Sequence, residues 1–151
     1  MVASDRTVPA GGGRMLRVGP VELHVKAALE TGHELLGCFQ SRMPPGGGFP
    51  FPHLHDEYEE VFYVLEGEIE YLLGDRWTAA PVGTTISVPR GVVHAFRNST
   101  HTAAGHLVVH APAAALQMIE ELGQAPREEW AAILERHHSR FAAPEPERTT
   151  R

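Results

Sequence analysis

Short runs of hydrophobic residues, some alternating with polar ones as at 21–25, recur along the chain before residue 112 and are separated by glycine and proline. Side chains of an extended segment point alternately to its two faces, so a short apolar run bounded by turn residues predicts a β-strand with one face against a core. The predicted strands are residues 15–18, 21–25, 35–39, 61–65, 68–73, 76–78, 84–88, 92–97 and 106–109. About nine short strands separated by turns are typical of an all-β jelly roll or barrel.

Glycine and proline positions predict where the chain leaves these strands. Three glycines, at which positive φ costs nothing, stand where the chain reverses between predicted strands: Gly67, Gly83 and Gly91. Residues 44–52 hold four prolines and three glycines. Because proline removes donors from a ladder of hydrogen bonds, we expect a loop here without regular structure. This loop leads into a strand that carries His53 and His55.

The hydrophobic period changes from two to about 3.6 after Pro112, which predicts helices. In the first helix, one face carries Leu116, Ile119 and Leu122, and Gly123 is the expected stop. Pro126 then begins a second helix. The apolar stripe of this second helix consists of Trp130, Ile133 and Leu134.

The chain predicts a single folded unit between two irregular ends. Residues 1–13, which finish in three glycines, indicate a flexible arm. Residues 14–141 form one domain, with a core barrel at about 34–111 and a helical tail at 112–141 packed outside the barrel. Residues 142–151 are rich in proline and charge and predict a disordered tail.

Composition narrows the function classes. Thirteen basic against nineteen acidic residues give a formal charge of −6, and no stripe of Lys and Arg forms. This argues against nucleic acid and against an anionic membrane surface as partners. The single cysteine, Cys38, cannot form an internal disulfide and fits a reducing compartment. With no apolar run long enough for a signal or a span, we expect a cytoplasmic protein.

Three histidines and a glutamate carry the spacing of a metal site. His53 and His55 are two residues apart, so in a strand both point to the same face, with Cα atoms about 6.5–7 Å apart. Two imidazoles at that separation converge on one ion at about 2.0–2.1 Å each. Glu60 follows a polar turn and begins the strand at 61–65, and His94 arrives from much later in the chain. Together they predict one mononuclear metal centre.

These residues stand inside two longer motifs. The first is Gly47, five residues, His53-x-His55, four residues, Glu60, six residues, Gly67. The second is Gly83, five residues, Pro89-x-Gly91, two residues, His94, three residues, Asn98. Both resemble, position for position, the two signature motifs of the cupin superfamily. The strings at 61–68 and 88–98 are also similar to bacterial single-cupin proteins that resemble quercetin 2,3-dioxygenase.

The resemblance implies a double-stranded β-helix, the cupin jelly-roll barrel, holding one divalent metal ion. Its ligands would be His53, His55, Glu60 and His94, and Glu60 is preferred over Glu59 because it keeps the six-residue interval to Gly67. Such a ligand set leaves one or two coordination positions open, as a catalytic site requires. It suits Fe, Mn, Ni, Cu or Zn without choosing among them.

Other residues are candidates for the substrate pocket. His106 and His110 share one face of the last predicted strand, and that face can look into the cavity. The aromatic residues and the cysteine are candidates for its wall. The full candidate set is Phe51, Phe62, Phe96, His106, His110 and Cys38.

Three functions fit these expectations. The first is a dioxygenase that takes O2 and an aromatic or enolic small molecule, with Glu60 as both ligand and catalytic proton acceptor, as the resemblance implies. The second is a non-redox cyclase or isomerase, for example of a polyketide, in which the ion polarises a ketone. The third is a non-enzymatic cupin that binds a small molecule. The resemblance also implies a homodimer.

Overall fold

A computed structural model describes residues 7–144, and within this range the chain consists mainly of β-strands, with two short α-helices before the last strand. Its strands are β1 Met15–Val18, β2 Val21–Ala27, β3 Gly37–Met43, β4 Gly48–His55, β5 Glu59–Glu66, β6 Glu68–Leu73, β7 Arg76–Pro81, β8 Thr85–Val88, β9 His94–Arg97, β10 Ala104–Ala111 and β11 Ser139–Phe141. The helices are α1 Ala115–Gln124 and α2 Trp130–Arg136, the second preceded by a 3-10 turn at Arg127–Glu129. None of the helices in this range has the length and apolar character needed to cross a membrane.

The strands form two antiparallel sheets. One has the order β1-β2-β3-β10-β5-β8 and the other the order β11-β4-β9-β6-β7. A single buried cluster contains residues of both sheets, such as Phe39 and Val64 from the first and Ile69 and Tyr71 from the second. The sheets therefore pack face to face around one core, and the predicted all-β jelly roll with helices outside is confirmed.

Alternation along the central strands decides which side chains face this core. On β10 the buried residues recur at every second position, from Ala104 through His106 and Val108 to His110. The pairing register of β10 with its two neighbouring strands places His106 opposite Ser41 of β3 and His110 opposite Glu60 of β5. The inner face of the six-stranded sheet thus carries several polar side chains in a mostly apolar environment.

The expectation of an irregular loop at 44–52 is wrong for its second half, because β4 begins at Gly48. Gly48 and Phe49 pair with Arg97 and Phe96 of β9, and the register then shifts before His53 pairs with His94. Pro50 and Pro52 lie between these paired positions, where β4 forms no regular pairs with β9, so the N–H groups that proline lacks are not required there. A side chain at Gly48 would lie 2.6 Å from the Phe96 carbonyl oxygen, so glycine is required at this close approach.

Gly123 was expected to end the first helix, and this is wrong because α1 continues to Gln124. The glycine serves packing instead: a Cβ there would lie 2.3 Å from the carbonyl oxygen of Arg17, so its absence lets α1 approach β1. Met118 and Leu122 on the same helix are buried. The helix therefore closes one side of the core.

The predicted ends of the chain are only partly within the described range. Residues 1–6 and 145–151 lie outside it, so the predicted arm and tail stand as predictions there. Within it, Lys26 donates to the Gly12 carbonyl at 2.7 Å, so the end of the predicted arm contacts β2. The three glycines predicted to turn, Gly67, Gly83 and Gly91, do have positive φ, at 67°, 89° and 75°.

Candidate metal centre

Three imidazoles meet between strands β4 and β9. His53 and His94 are directly paired across the two strands, and His55 follows on the same face of β4. Their ring centroids are 4.2 Å apart for His53 and His94 and 5.0 Å apart for each of the other pairs. One ring nitrogen from each lies within 4.8 Å of the other two, and all three residues are buried. The histidines predicted from distant parts of the sequence are therefore brought together.

Hydrogen bonds at Nδ1 fix two of these rings. His53 donates from Nδ1 to the Phe51 carbonyl at 2.8 Å, and His94 donates from Nδ1 to the Val92 carbonyl at 2.9 Å. A carbonyl oxygen can only accept, so each Nδ1 carries the proton and each neutral ring keeps its lone pair on Nε2. A metal-binding histidine has this arrangement, with the far nitrogen held by an acceptor.

The third ring is held by the helical tail. His55 Nδ1 lies 2.7 Å from the hydroxyl oxygen of Ser139, which itself donates to the His137 carbonyl at 3.1 Å. Because the serine proton is used in that second bond, Ser139 accepts from His55, and the lone pair of His55 is again on Nε2. Strand β11 places this serine by pairing Ser139 directly with His55. Sequence reasoning missed Ser139, since no local pattern marks it.

Glu60 completes the cluster from the opposite sheet. Its Oε2 lies 3.0 Å from His94 Nε2 and 3.4 Å from His55 Nε2, and only 10 % of the side chain is exposed. Two ligand atoms about 2.0–2.1 Å from one ion are about 2.9–3.4 Å apart for angles between 90° and tetrahedral. The observed separations fit ligands of a common ion. Glu59, by contrast, is 60 % exposed and faces Arg90.

The electrostatics of the cluster favour the ligating protonation states. Burial alone would raise the pKa of Glu60, but the charges and hydrogen bonds of His55 and His94 outweigh it and hold that pKa well below its usual range. Burial, reinforced by the neighbouring His94 and His55, lowers the pKa of His53 well below its ordinary value. An ionised carboxylate is the form in which Glu60 would bind a divalent ion, and such an ion would take the place of the protons that His55 and His94 direct at Oε2.

A cavity of about 80 Å³ adjoins the cluster. Its walls are mostly apolar and come from both sheets and from α1 and α2. The lining residues are Val18, Val21, Leu23, Phe39, Ser41, Phe49, His53, His55, Glu60, Phe62, His94, Phe96, His106, Val108, Met118, Ile119, Leu122 and Leu134. Of the pocket candidates from the sequence, this wall includes Phe62, Phe96 and His106. Sequence reasoning missed Ser41 and the helix residues as parts of this wall.

The remaining three candidates lie elsewhere. Phe51 packs against Trp130 at 5.9 Å between ring centroids, with the Arg127 guanidinium 4.0 Å above its ring. The ring of His110 occupies the space left by Gly37, where a Cβ would lie 2.2 Å from His110 Cε1. Cys38 is half-buried, on the face of β3 opposite to Phe39, because side chains alternate along a strand. None of these three is part of the cavity wall formed by residues 7–144.

The fold and the site together define a class: a small protein of two packed β-sheets in which three buried histidines could hold a metal ion, with a glutamate carboxylate beside them. Residues 39–110 match the family described as the cupin domain, and this stretch includes all four predicted ligands. Residues 39–110 therefore form a cupin domain. The narrower likeness to quercetin 2,3-dioxygenase remains a sequence resemblance. No curated protein matches the chain.

Solved structures give the same fold. The polyketide cyclase RemF from Streptomyces resistomycificus is 26 % identical, with a TM-score of 0.63, and the match covers 71 % of this chain and 78 % of that one. A predicted oxalate decarboxylase from Thermotoga maritima is 20 % identical, with a TM-score of 0.64, covering 70 % of this chain and 98 % of the other. A sugar phosphate isomerase from Silicibacter pomeroyi is 19 % identical, with a TM-score of 0.63, covering 70 % and 74 %. At such identities, the last two indicate the fold alone.

Proposed function

We propose that this protein is a metal-dependent enzyme that binds a small enolisable ketone or phenol and cyclises or isomerises it without net oxidation. The observation that carries the proposal is the convergence of His53, His55, His94 and Glu60 at one end of a buried apolar cavity. The likeness to RemF, the relative above with the highest identity, supports a cyclase over the other non-redox reactions.

A divalent ion held by these four residues would act as a Lewis acid, polarising a carbonyl and favouring the ionised form of a hydroxyl or enol. As ligands of such an ion, the three imidazoles would each offer the lone pair of Nε2 and add no charge. Hydrogen bonds at Nδ1 hold all three rings in fixed orientations. Ligands that are already oriented would keep the ion, and the substrate oxygen bound to it, in place without rearrangement of the protein during the reaction.

Glu60 is the proton carrier in this proposal. Both of its contacts with the histidines use Oε2, which leaves Oε1 outside those contacts. The low pKa of Glu60 keeps the carboxylate ionised at neutral pH, so it is free to accept a proton from a substrate hydroxyl or enol that a bound ion has made more acidic. The same group can return the proton to another substrate atom, as an isomerisation or a ring closure with loss of water requires.

The apolar wall protects the reacting molecule. Phe49, Phe62 and Phe96 surround the histidine cluster, with the Phe49 ring 4.9 Å from His53 and the Phe62 ring 6.4 Å from His94. These rings exclude bulk water and strengthen the electrostatic interactions inside the cavity. They also offer flat surfaces suited to an aromatic or polyenolic substrate.

A second candidate function is a dioxygenase acting on the same class of substrate. The residues at 61–68 and 88–98, which resemble those of quercetinase-like cupins, favour it. The two functions share fold and ligands, so only the requirement for O2 separates them.

The test begins with elemental analysis of protein purified without added metal, followed by reconstitution with Zn, Mn, Ni or Fe. Linear poly-β-ketones and flavonols are then incubated with each form under air and under strict anaerobiosis. Anaerobic conversion, including by the zinc form, is expected for the proposed function. Oxygen uptake in proportion to product would establish the dioxygenase instead.

Matched variants keep this test specific. Glu60→Gln should abolish turnover, whereas Glu59→Gln changes an exposed carboxylate next to it and should leave turnover intact. Protein that binds one divalent ion and a substrate but converts nothing would support the third function, a non-enzymatic binding cupin. Failure to bind any divalent ion would refute the proposal.

A further inference from the structure

The strongest feature that the proposed function leaves unused is a pair of buried polar side chains on the inner face of the six-stranded sheet. Ser41 on β3 and His106 on β10 are cross-strand partners, and both line the cavity. Ser41 is 1 % exposed and His106 is fully buried. Within the described range, neither the Ser41 hydroxyl nor His106 Nε2 has a hydrogen-bond partner. Burying such polar atoms costs free energy unless a ligand or an ordered water forms a hydrogen bond with them.

The tautomer of His106 follows from its neighbour. The Tyr71 hydroxyl lies 2.6 Å from His106 Nδ1, in a fully buried contact, and this is the only partner found for that hydroxyl among residues 7–144. If Nδ1 carried the proton, the buried tyrosine proton would have no acceptor. Tyr71 therefore donates to Nδ1, and His106 carries its own proton on the unpartnered Nε2. Burial lowers the pKa of His106 to about 3, so the ring stays neutral.

Two neutral donors thus stand together at one place on the cavity wall. Ser41 and His106 occupy directly opposed positions, so their Cβ atoms are about 4.5–5.5 Å apart and both donors can reach one oxygen atom. The described lining residues include no Lys or Arg. A neutral acceptor, such as a ketone or quinone oxygen, matches these donors better than a carboxylate or phosphate does.

This pair lies at a distance from the metal ligands. Glu60 pairs with His110, which lies four residues along β10 from His106. The backbone positions of His106 and His110 are therefore about 13 Å apart along the strand. The Phe62 ring lies between the two ends, 5.2 Å from the His106 ring and 6.4 Å from the His94 ring. A molecule that reaches both ends needs an oxygen at each end and an apolar middle.

We infer that Ser41 and His106, with Tyr71 holding the tautomer, form a carbonyl-binding subsite opposite the metal centre. Its ligand is a neutral, mostly apolar molecule that carries a metal-binding hydroxyl at one end and a ketone or quinone oxygen at the other. The inference rests on the proposed function for the metal-binding end only. In this inference, Ser41 and His106 position the substrate and determine which substrates bind.

A matched pair of probes tests the subsite: 4-acetylcatechol, which has the distal carbonyl, and 4-ethylcatechol, which lacks it. Binding of each to the zinc-loaded full-length protein is measured by titration calorimetry. One or two hydrogen bonds to the carbonyl should make the acetyl compound bind about 3- to 10-fold more tightly than the ethyl compound. Ser41→Ala and His106→Leu should bring this ratio close to one while leaving the ethyl compound's affinity unchanged. Ser87→Ala, at an exposed position on β8, is the control and should keep the wild-type ratio.

Equal affinities for the two probes in the wild-type protein would overturn the subsite, because they would show that water alone satisfies the two donors. An unchanged ratio in both variants would overturn it as well. His106→Gln keeps an N–H donor and should restore part of the preference. This partial rescue separates a lost donor from a general loss of packing.

A second measurement is independent of the metal. Long-range proton–nitrogen NMR on the metal-free protein reports which nitrogen of His106 is protonated. We expect the proton on Nε2 in the wild type and a mixture in Tyr71→Phe. Acetophenone should shift the Nε2 signal in the wild type and not in Ser41→Ala. A proton on Nδ1, or no response to acetophenone, refutes the subsite. If neither catechol binds but this response is present, the proposed function fails and the subsite stands.

Discussion

Removing the hydroxyl of Ser139 should weaken metal binding without unfolding the barrel. This serine is not among the described residues that line the cavity, and it comes from β11, the strand that follows the helices. Its hydroxyl accepts from His55 Nδ1 at 2.7 Å, and only the ring carbon Cε1 separates Nδ1 from Nε2, the nitrogen that would bind the metal. In Ser139→Ala the imidazole loses the acceptor that fixes both its orientation and its tautomer.

The magnitude follows from the geometry. Loss of a partner that orients a metal-binding histidine costs about 10- to 100-fold in metal affinity, equal to about 1.4–2.7 kcal/mol. We expect the upper half of this range, since His55 is only 3 % exposed and bulk water therefore has little access to replace the serine hydroxyl. The buried Nδ1–H left without an acceptor also lowers the free energy of unfolding of the metal-free protein by about 1–3 kcal/mol.

The assay is competition for zinc against a chromogenic chelator, with unfolding in urea followed on the metal-free protein. Ser139→Thr keeps a hydroxyl and should recover most of the affinity, while Ser87→Ala, an exposed serine on β8, should change nothing. Zinc affinity in Ser139→Ala equal to that of the wild type would refute the argument that the tail positions His55. A fall of the same size in Ser139→Thr would show that packing, and not the hydrogen bond, is responsible.

Further predictions concern the ligands, acid stability and assembly. His94→Ala should reduce metal content while the barrel remains folded, as judged by elemental analysis and circular dichroism; full metal occupancy would show the ligand assignment to be wrong. Because the pKa of His106 is about 3 in the folded chain against 6.5 ordinarily, the unfolded chain binds the extra proton first, so stability falls as pH decreases from about 6.5 towards 3. For metal-free protein at pH 5 this amounts to about 2 kcal/mol, and urea unfolding of His106→Gln should lack that part of the pH dependence. The homodimer implied by the family resemblance should appear in size-exclusion chromatography with light scattering, and a monomer at all concentrations would contradict it.

The elements predicted correctly are those whose signal is contained in a short stretch of sequence. Residues 61–65 form an uninterrupted run of β-branched, aromatic and aliphatic residues, and β5 does contain them, with Phe62 and Val64 buried while Val61 and Tyr63 face outward. The metal cluster was predictable for a similar reason. Two-residue spacing puts His53 and His55 on one face, and the motif around His94 carries its own turn glycine, Gly91.

The parts that sequence reasoning missed depend on contacts between distant residues. Strand β11 has only three residues, and pairing with β4 is what makes it a strand. Ser139 becomes important solely through that pairing. Gly123 resembles a helix stop locally, but the backbone of Arg17, 106 positions earlier, decides its role. Ser41 was missed because the third strand was expected to end at residue 39, whereas β3 continues to Met43.

The charge balance of the cavity limits the kind of oxygen that each end can bind. Glu60 is the one carboxylate among the described lining residues, and imidazole ligands add no charge of their own, so a bound divalent ion would leave this end with a net charge of about +1. In an apolar cavity that charge is best neutralised by an anionic oxygen, such as an enolate or a phenolate. The other end offers only neutral donors, from Ser41 and His106, and would be destabilised by a second anion. A substrate with one acidic hydroxyl and one neutral carbonyl satisfies both ends, and it can enter in only one orientation.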